Sequence, residues 1–343
     1  MKTNQRVLII AEAGVNHNGN IELAKKLIDI GADAGVDFVK FQTWVTEDIV
    51  DNNAPKAAYQ IENDGAETSQ FEMLKQLELS FQDFVELNKY AVTKNVKFLS
   101  TPDDTKSLNF LIDELNLPII KVGSGEVTNI PHLRRIGRKQ KDVILSTGMS
   151  SIGEVEKAYY TLLEEGAKSV AILHCTSNYP AALNSINLKA MKTLETVFNT
   201  TVGYSDHTEG IEISLAAVAM GAKIIEKHYT IDKNMPGPDH KASLDPTELK
   251  ELVRQIRNIE EAMQGDGTKR AHSSEVETKK IVQRGIYLNK NIYVGEIITD
   301  EHLIMKRPVQ FLSALEYDTI IGKAVNKSIL SGNPLKINDI DFG

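Results

Sequence analysis

Polar and charged side chains follow each of eight short apolar runs along the chain. They are Glu12; Lys40 and Gln42; Ser100 and Thr101; Lys121, Ser124 and Glu126; Ser146 and Thr147; His174; Ser205 and His207; and Glu226 and His228. Buried charge is costly unless it is paired or ligated, and packing alone does not call for polar groups at all eight places. The pattern therefore predicts one site assembled from residues that are far apart in the sequence.

Two lysines of this set could bind an anion. Lys40 and Lys121 follow different runs, and four hydroxyl-bearing residues accompany them: Thr101, Ser124, Ser146 and Ser205. Two ammonium groups with several hydroxyls suit a ligand that carries both a phosphate and a carboxylate. The alternative is that the two lysines only form ion pairs with Glu12 and Glu126.

Two histidines follow neighbouring runs and could ligate a metal. If the ends of these runs meet, His207 and His228 converge. Such a pair suits a divalent transition ion that keeps open positions for water and substrate. The residue types do not separate Mn²⁺, Co²⁺, Zn²⁺ and Mg²⁺, and ordinary structural hydrogen bonds could also account for each imidazole.

Three carboxylates are candidates for proton transfer. Glu12 and Glu126 end apolar runs, and Asp239 lies in the rigid turn Pro236-Gly237-Pro238-Asp239-His240. General acid–base catalysis needs a carboxyl group within hydrogen-bond reach of the transferred proton. A salt bridge to a lysine is the commoner role of any one of them. The single cysteine, Cys175, has only His174 beside it and is expected to be a buried strand residue.

The elements that must position these residues alternate regularly. Runs rich in Val and Ile alternate with amphipathic stretches, as in the helical pattern over residues 21–35, and eight such units fill residues 1–265. Continuous apolar strands indicate a parallel sheet covered on its faces. Eight units of this length predict a (β/α)₈ TIM barrel, with the polar residues at the C-terminal ends of its strands. The alternative, a doubly wound open sheet, lacks its usual glycine fingerprint after the first strand.

Two segments depart from this rhythm. Residues 44–80 form a long excursion after the second strand, typical of a lid or binding loop. Residues 266–282 are polar and read as a linker, and residues 283–343 contain short alternating runs, including 297–299, separated by turns. These last residues predict a small β-rich domain. Its size is near the lower limit for independent folding, so we expect it to be stabilised by contact with a larger domain.

Composition excludes several classes of protein. The chain has 343 residues, with 39 Lys+Arg against 47 Asp+Glu and a formal net charge of −8. Nucleic-acid binders are usually basic, so no nucleic-acid partner is expected. No apolar stretch reaches the length of a membrane span, the N-terminal run lacks the form of a signal peptide, and one cysteine cannot form an intrachain disulfide. We therefore expect a cytoplasmic protein without a membrane partner.

The motifs together resemble the sialic acid synthase family, the phosphoenolpyruvate-dependent nonulosonate synthases. The resemblance covers essentially the whole chain. It rests on segments 11–19 (AEAGVNHNG), 39–42 (VKFQ), 100–102 (STP), 121–126 (KVGSGE), 146–149 (STGM), 205–207 (SDH), 226–228 (EKH) and 237–240 (GPDH).

The resemblance implies a TIM barrel followed by an antifreeze-like (SAF) domain, in a domain-swapped homodimer. It also implies a reaction in which C3 of phosphoenolpyruvate attacks the aldehyde of an open-chain N-acetylated mannosamine-type sugar. Water then adds at C2 and phosphate leaves. The implied cofactor is a divalent metal, Mn²⁺ first and Mg²⁺ or Co²⁺ as alternatives, which polarises the aldehyde oxygen.

The resemblance also implies residue roles. Phosphoenolpyruvate would be held by Lys40, Thr101, Lys121, Ser124, Ser146, Tyr179 and Ser205, and Gln42 is counted with the substrate-binding residues. The metal would be held by His207 and His228. Glu12 would lie by the metal-bound water or the sugar, Glu126 would handle protons near C2 and C3, and Asp239 would contact sugar hydroxyls. Arg307 would reach the N-acyl group from the partner subunit.

Two departures from the family pattern bear on the pocket. Val309-Gln310-Phe311 replaces a glycine-rich stretch, and Ser177 stands where some members have asparagine. Segments 203–208, 231–235 and 237–244 look closest to enzymes that make N,N′-diacetyllegionaminate from 2,4-diacetamido-2,4,6-trideoxymannose. An N-acetylneuraminate synthase acting on N-acetylmannosamine is the alternative. A metal-dependent pyruvate aldolase and a carbohydrate-binding protein are more remote alternatives.

Overall fold

A computed structural model describes residues 6–57, 60–61 and 68–343 of the chain. The chain divides into two compact units, Met1–Gln264 and Gly265–Gly343, each with its own hydrophobic core. Among the described residues, no helix is long and apolar enough to cross a membrane.

The first unit is built on eight parallel strands. In chain order they are β1 Leu8–Gly14, β2 Phe38–Thr43, β3 Lys97–Pro102, β4 Ile119–Val122, β5 Asp142–Ser146, β6 Ser169–Cys175, β7 Val202–Asp206 and β8 Ile224–His228. The hydrogen-bonded order is β3-β2-β1-β8-β7-β6-β5-β4, so β1 pairs with β8 and the sheet closes nearly into a barrel, with β3 lying against β4 at the seam. The predicted (β/α)₈ barrel is confirmed.

A helix follows each strand and covers the outside of the barrel. These helices are Ile21–Ala34, Phe81–Thr93, Thr105–Asn109, Ile130–Arg138, Ile152–Glu164, Ala190–Phe198, Glu212–Ala219 and Pro246–Ala262. The third helix continues at Phe110 into a π-helical turn, Phe110–Glu114.

Strand alternation creates two apolar layers. Inward-facing residues such as Ile10, Leu99 and Ile224 form a core that fills the barrel. Their strand neighbours, such as Ile9 and Ile225, belong to a larger core between strands and helices. Because successive side chains of a strand point to opposite faces, the same alternation decides which polar residues at the strand ends face inward.

The excursion after β2 is partly described. Short helices, Thr46–Ile49 and Gln70–Leu77, lie within it, and Trp44, Met73 and Leu77 pack with Val15 of the loop after β1. The prediction of a lid over 44–80 also covers residues 58–59 and 62–67, which are outside the described residues.

The second unit contains two antiparallel strand pairs. Strand β9 (Gly285–Leu288) pairs with β10 (Leu303–Lys306), and β11 (Ala324–Val325) pairs with β12 (Ile340–Asp341). The strand expected over 297–299 is only a single bridge, Ile297 to Ala324. The polar linker contains the helix Val276–Val282, which its charged composition did not indicate.

Candidate active site

A cavity of about 190 Å³ lies at the C-terminal ends of the barrel strands. Most of the polar residues singled out in the sequence line it, together with several that were not. The lining residues are Glu12, Lys40, Gln42, Thr101, Asp103, Lys121, Gly123, Ser124, Gly125, Ser146, Cys175, Tyr179, Ser205, His207, Glu226 and His228. Residues from all eight strands or the turns after them thus meet in one place, as the sequence predicted.

Lys40 occupies one side of the cavity. Its Nζ lies 2.7 Å from Glu12 Oε2 and 3.7 Å from Glu226 Oε2, and it donates a hydrogen bond to Thr101 Oγ1 at 3.1 Å. Strand register explains the first contact, because Glu12 lies directly opposite Lys40 in the β1–β2 pair. The side chain is buried, so its charge depends on these carboxylates.

Lys121 occupies the opposite side. Its Nζ donates to Ser146 Oγ at 2.8 Å and to the carbonyl oxygen of Val122 at 3.0 Å, and it lies 3.5 Å from Glu226 Oε1. Burial lowers the pKa of Lys121. Two buried ammonium groups therefore flank one carboxylate, that of Glu226.

Glu226 joins the two lysines; the sequence analysis placed it among the residues of the site but gave it no role. Ser205, its register partner, donates to Glu226 Oε1 at 2.9 Å. Burial alone would raise the pKa of Glu226, but Lys121 and Lys40 outweigh it and hold the pKa below its usual range. Strand alternation was an available signal, because Glu226 and His228 are two residues apart and must share a face. The predicted alternative pairing of the lysines with Glu126 is wrong.

The two histidines converge at the rim. The ring centroids of His207 and His228 are 5.5 Å apart, and Tyr179 stacks on His207 with a centroid distance of 4.1 Å. His207 Nδ1 lies 2.7 Å from the carbonyl oxygen of Thr176, so this nitrogen donates and Nε2 keeps its lone pair. Burial lowers the pKa of His207 to about 4 and that of His228 well below its usual value. Both rings are therefore neutral at pH 7.

These residues fit a divalent cation. Metal ligation requires neutral imidazoles, and His228 Nδ1 is buried without a hydrogen-bond partner, 3.8 Å from Asp239 Oδ2. A side chain at Gly14 would approach Glu12 Oε1 and His228 Cε1 to 3.4 Å, so glycine keeps the space beside them open. In the described part of the chain, no group of three or more His, Cys, Asp or Glu side chains is arranged to hold a metal. Water and substrate would supply the other ligands.

Of the three predicted proton carriers, Glu12 lines the cavity, and Asp239 lies beside it with Oδ2 3.8 Å from His228 Nδ1. Glu12 accepts a hydrogen bond from Gln42 at 3.1 Å, and burial raises its pKa against the opposing charge of Lys40. Burial raises the pKa of Asp239 to about 6. Glu126 is half-buried, does not line the cavity, and accepts a hydrogen bond from Asn129 at 2.6 Å.

Asp103 is a site residue that the sequence analysis missed. It lines the cavity just after β3, and burial, with a smaller contribution from Glu126, raises its pKa to about 7. Its place directly after Ser100-Thr101-Pro102 was the only signal. It adds a carboxyl group that is partly protonated at neutral pH.

The remaining candidates lie in different places. Ser124 lines the cavity, and its Oγ lies 2.8 Å from Oγ of Ser177, the residue that stands where some family members have asparagine. Cys175 is buried as expected, and its sulfur accepts from the amide of Gly148 at 3.1 Å. His174 points to the outside of the barrel, where Nε2 lies 2.7 Å from the carbonyl oxygen of Ile186. Arg307 belongs to the second unit, follows β10 and is exposed.

Known proteins share both units. The profile of the NeuB family matches residues 27–269, and that of the SAF domain matches residues 283–341. The N,N′-diacetyllegionaminic acid synthase of Campylobacter jejuni is 50% identical over 94% of this chain and 97% of that protein. The enzyme of the same name from Legionella pneumophila is 43% identical over 95% of this chain and 92% of that protein.

A solved structure is similar as well. The N-acetylneuraminic acid synthetase of Leptospira borgpetersenii, in complex with citrate, superposes with a TM-score of 0.69 and 36% identity. The match covers 80% of this chain and 90% of that one.

Proposed function

The chain belongs to the NeuB family, with a SAF domain following its barrel, and from this we propose that it condenses phosphoenolpyruvate with an open-chain N-acetylated sugar. The leading product is N,N′-diacetyllegionaminate, made from 2,4-diacetamido-2,4,6-trideoxymannose. One observation carries the proposal: two buried ammonium groups and two neutral, converging imidazoles line a single cavity. The first pair suits an anionic donor and the second an aldehyde acceptor.

Phosphoenolpyruvate binds on the lysine side. Its carboxylate and phosphate take hydrogen bonds from the ammonium groups of Lys40 and Lys121 and from nearby hydroxyls: Thr101, Ser124, Ser146 and Ser205. Tyr179 borders the same cavity. The raised pKa values of Glu12 and Asp103 reduce the negative charge that an incoming anion meets.

The sugar aldehyde lies on the histidine side. His207 and His228 would hold a divalent cation, for which we propose Mn²⁺, with Mg²⁺ or Co²⁺ as substitutes. Such an ion, when bound, polarises a carbonyl oxygen toward attack. Glu12 lies opposite His228 in the β1–β8 pair and between it and Lys40, so its carboxyl group borders both substrates.

The reaction forms one carbon–carbon bond and exchanges the oxygen of phosphate at C2 for that of water. The π electrons of the enol ester form the bond from C3 to the aldehyde carbon, the aldehyde oxygen takes up a proton to become a hydroxyl, and a cation is left at C2. Water adds there and loses a proton, and the tetrahedral intermediate expels phosphate to give the 2-keto acid. Glu12 and Asp239 would transfer protons or hold sugar hydroxyls. Glu126 would act near C2 and C3 only after leaving Asn129.

The two curated relatives named above support the diacetylated sugar, because each is named for that product. The Leptospira enzyme is named for N-acetylneuraminic acid, so N-acetylneuraminate synthesis from N-acetylmannosamine is the second candidate. The single cysteine and the phosphorylated substrate support a cytoplasmic location.

A substrate panel separates the candidates. With phosphoenolpyruvate and Mn²⁺ present, we expect phosphate release with either sugar. We expect kcat/KM to be about 100-fold higher for the 2,4-diacetamido-6-deoxy sugar, the range that one recognised substituent supplies. The measurement is phosphate release with identification of the nonulosonate by mass spectrometry. Higher kcat/KM for N-acetylmannosamine would favour the second candidate, and no turnover with any N-acyl sugar would contradict the function.

We further propose a domain-swapped homodimer in which Arg307 contacts the N-acyl group bound by the partner subunit's barrel. Arg307→Ala should then raise KM for the sugar about tenfold or more, the equivalent of 1.4 kcal/mol, and change KM for phosphoenolpyruvate little. An equal rise in KM for the sugar and in KM for phosphoenolpyruvate would contradict this role of Arg307.

Mixing Arg307→Ala and His228→Ala subunits tests the swap directly, when activity is assayed at a sugar concentration well below the KM of the arginine variant. In a heterodimer of Arg307→Ala and His228→Ala subunits, one site combines an intact barrel with an intact partner arginine. If subunits of the two variants exchange at random in an equal mixture, the sites of this kind should therefore restore about a quarter of wild-type activity. If Arg307 serves its own barrel, both sites of the heterodimer are defective and mixing restores nothing.

A further inference from the structure

Asp206 and Lys227 form a buried ion pair directly behind the two histidines. Asp206 precedes His207 on β7, Lys227 precedes His228 on β8, and the two are register partners. Because strand side chains alternate, the histidines face the cavity while Asp206 and Lys227 point outward beneath the helix Glu212–Ala219. Both side chains are essentially inaccessible, and Lys227 Nζ lies 3.2 Å from Asp206 Oδ2.

The pair also fixes the turn that follows His207. Asp206 Oδ1 accepts from the amide of Thr208 at 2.9 Å and from its hydroxyl at 2.7 Å. Lys227 Nζ donates to the carbonyl oxygen of Thr208. The residues on both sides of His207 are thus bonded to Lys227, which comes from the strand that carries His228: Asp206 through its carboxylate and Thr208 through its carbonyl oxygen.

Stability alone does not account for this arrangement. A buried ion pair often adds no stability over well-packed neutral residues of similar volume, because desolvating both charges offsets their attraction. An ion pair does specify geometry, since its partners have few alternatives in an apolar layer. Here the geometry that it specifies is the relative position of two imidazoles on neighbouring strands.

We infer that the Asp206–Lys227 pair positions His207 and His228 for a divalent cation. The inference rests on the proposed metal-binding role of these histidines. Partners that orient metal ligands from behind typically change metal affinity 10–100-fold when they are altered. Asp206 and Lys227 are positioning residues, because neither faces the cavity.

Mn²⁺ titration of the full chain, by calorimetry and electron paramagnetic resonance, tests the inference. The double variant Asp206→Asn/Lys227→Met removes both charges together, so neither is left buried and unpaired. We expect it to keep a wild-type circular dichroism spectrum and melting temperature, to bind phosphoenolpyruvate within about threefold of wild type, and to bind Mn²⁺ about 10–100-fold more weakly. A folded double variant with wild-type Mn²⁺ affinity would overturn the inference.

A matched pair of milder single variants tests the inference even if the double variant misfolds. Thr208→Val and Ser214→Ala each remove one hydroxyl that donates to Asp206, at 2.7 and 2.6 Å. Thr208 belongs to the turn after His207, whereas Ser214 belongs to the outer helix. Thr208→Val should weaken Mn²⁺ binding several-fold and Ser214→Ala should not; equal effects would contradict positioning. If wild type itself binds no Mn²⁺, the proposed metal site fails and the inference fails with it.

Discussion

Replacing His228 with alanine should lower kcat at least about 1,000-fold while the barrel stays folded. The variant removes one of two imidazoles proposed to hold the divalent cation, and loss of electrophilic assistance costs several kcal/mol of barrier. A chelator should have a similar effect on wild type, and added Mn²⁺ should reverse it. Steady-state phosphate release and Mn²⁺ titration measure both effects.

His174→Ala is the matched control for this variant. His174 also lies near the end of a barrel strand, but its ring points outward and its Nε2 meets the carbonyl oxygen of Ile186. We expect its activity to stay within about threefold of wild type, as for a substitution outside the site. If both variants lose the same activity, or if His228→Ala keeps Mn²⁺ affinity, the role of His228 is wrong.

Replacing Lys121 with methionine should raise KM for phosphoenolpyruvate about 100-fold or more. The variant removes a buried charge from the anion-binding side, and truncating one partner of such a contact costs about 2–5 kcal/mol. The effect on KM for the sugar should be much smaller. Initial rates over a matrix of both substrate concentrations separate the two constants.

Two further variants show whether Lys121→Met acts by removing a contact to phosphoenolpyruvate or by leaving the carboxylate of Glu226 without its partner. Lys168→Met removes an exposed lysine just before β6, at the other end of the barrel, and should leave both constants unchanged. Lys121→Met/Glu226→Gln also removes the carboxylate that Lys121 neutralises. If the double variant recovers wild-type KM for phosphoenolpyruvate, Lys121 matters only as the partner of Glu226 and does not bind substrate.

The local pattern of the chain was enough to predict the barrel. Strand and helix periodicities act over a few residues, so eight alternating units could be counted without any tertiary information. Adjacent units in a barrel place their strands side by side, which is why the convergence of His207 and His228 was predictable. The resemblance rested on similar short motifs and was confirmed by the NeuB and SAF matches.

The role of Glu226 and the presence of Asp103 at the site could have been predicted and were not. Glu226 shares a face with His228, and Asp103 follows the third strand directly. Glu126 follows its strand as predicted, but it lies in the short 3₁₀ turn Ser124–Glu126, and its carboxylate lies beside Asn129 and does not line the cavity. Position after a strand fixes the end of the barrel on which a residue lies, and the turn conformation decides where its side chain points.

The sequence by itself determined the eight strand–helix units, the polar residues at one end of them and the separate β-rich unit, because each depends on short-range periodicity and residue type. Only the tertiary structure decided which charges meet. Closure of β1 against β8 brings Glu12 between Lys40 and His228, and places Glu226 within reach of both lysines. Those contacts join residues that can be more than two hundred positions apart in the chain, and their energies depend on strand register and burial, which no local segment of the chain specifies.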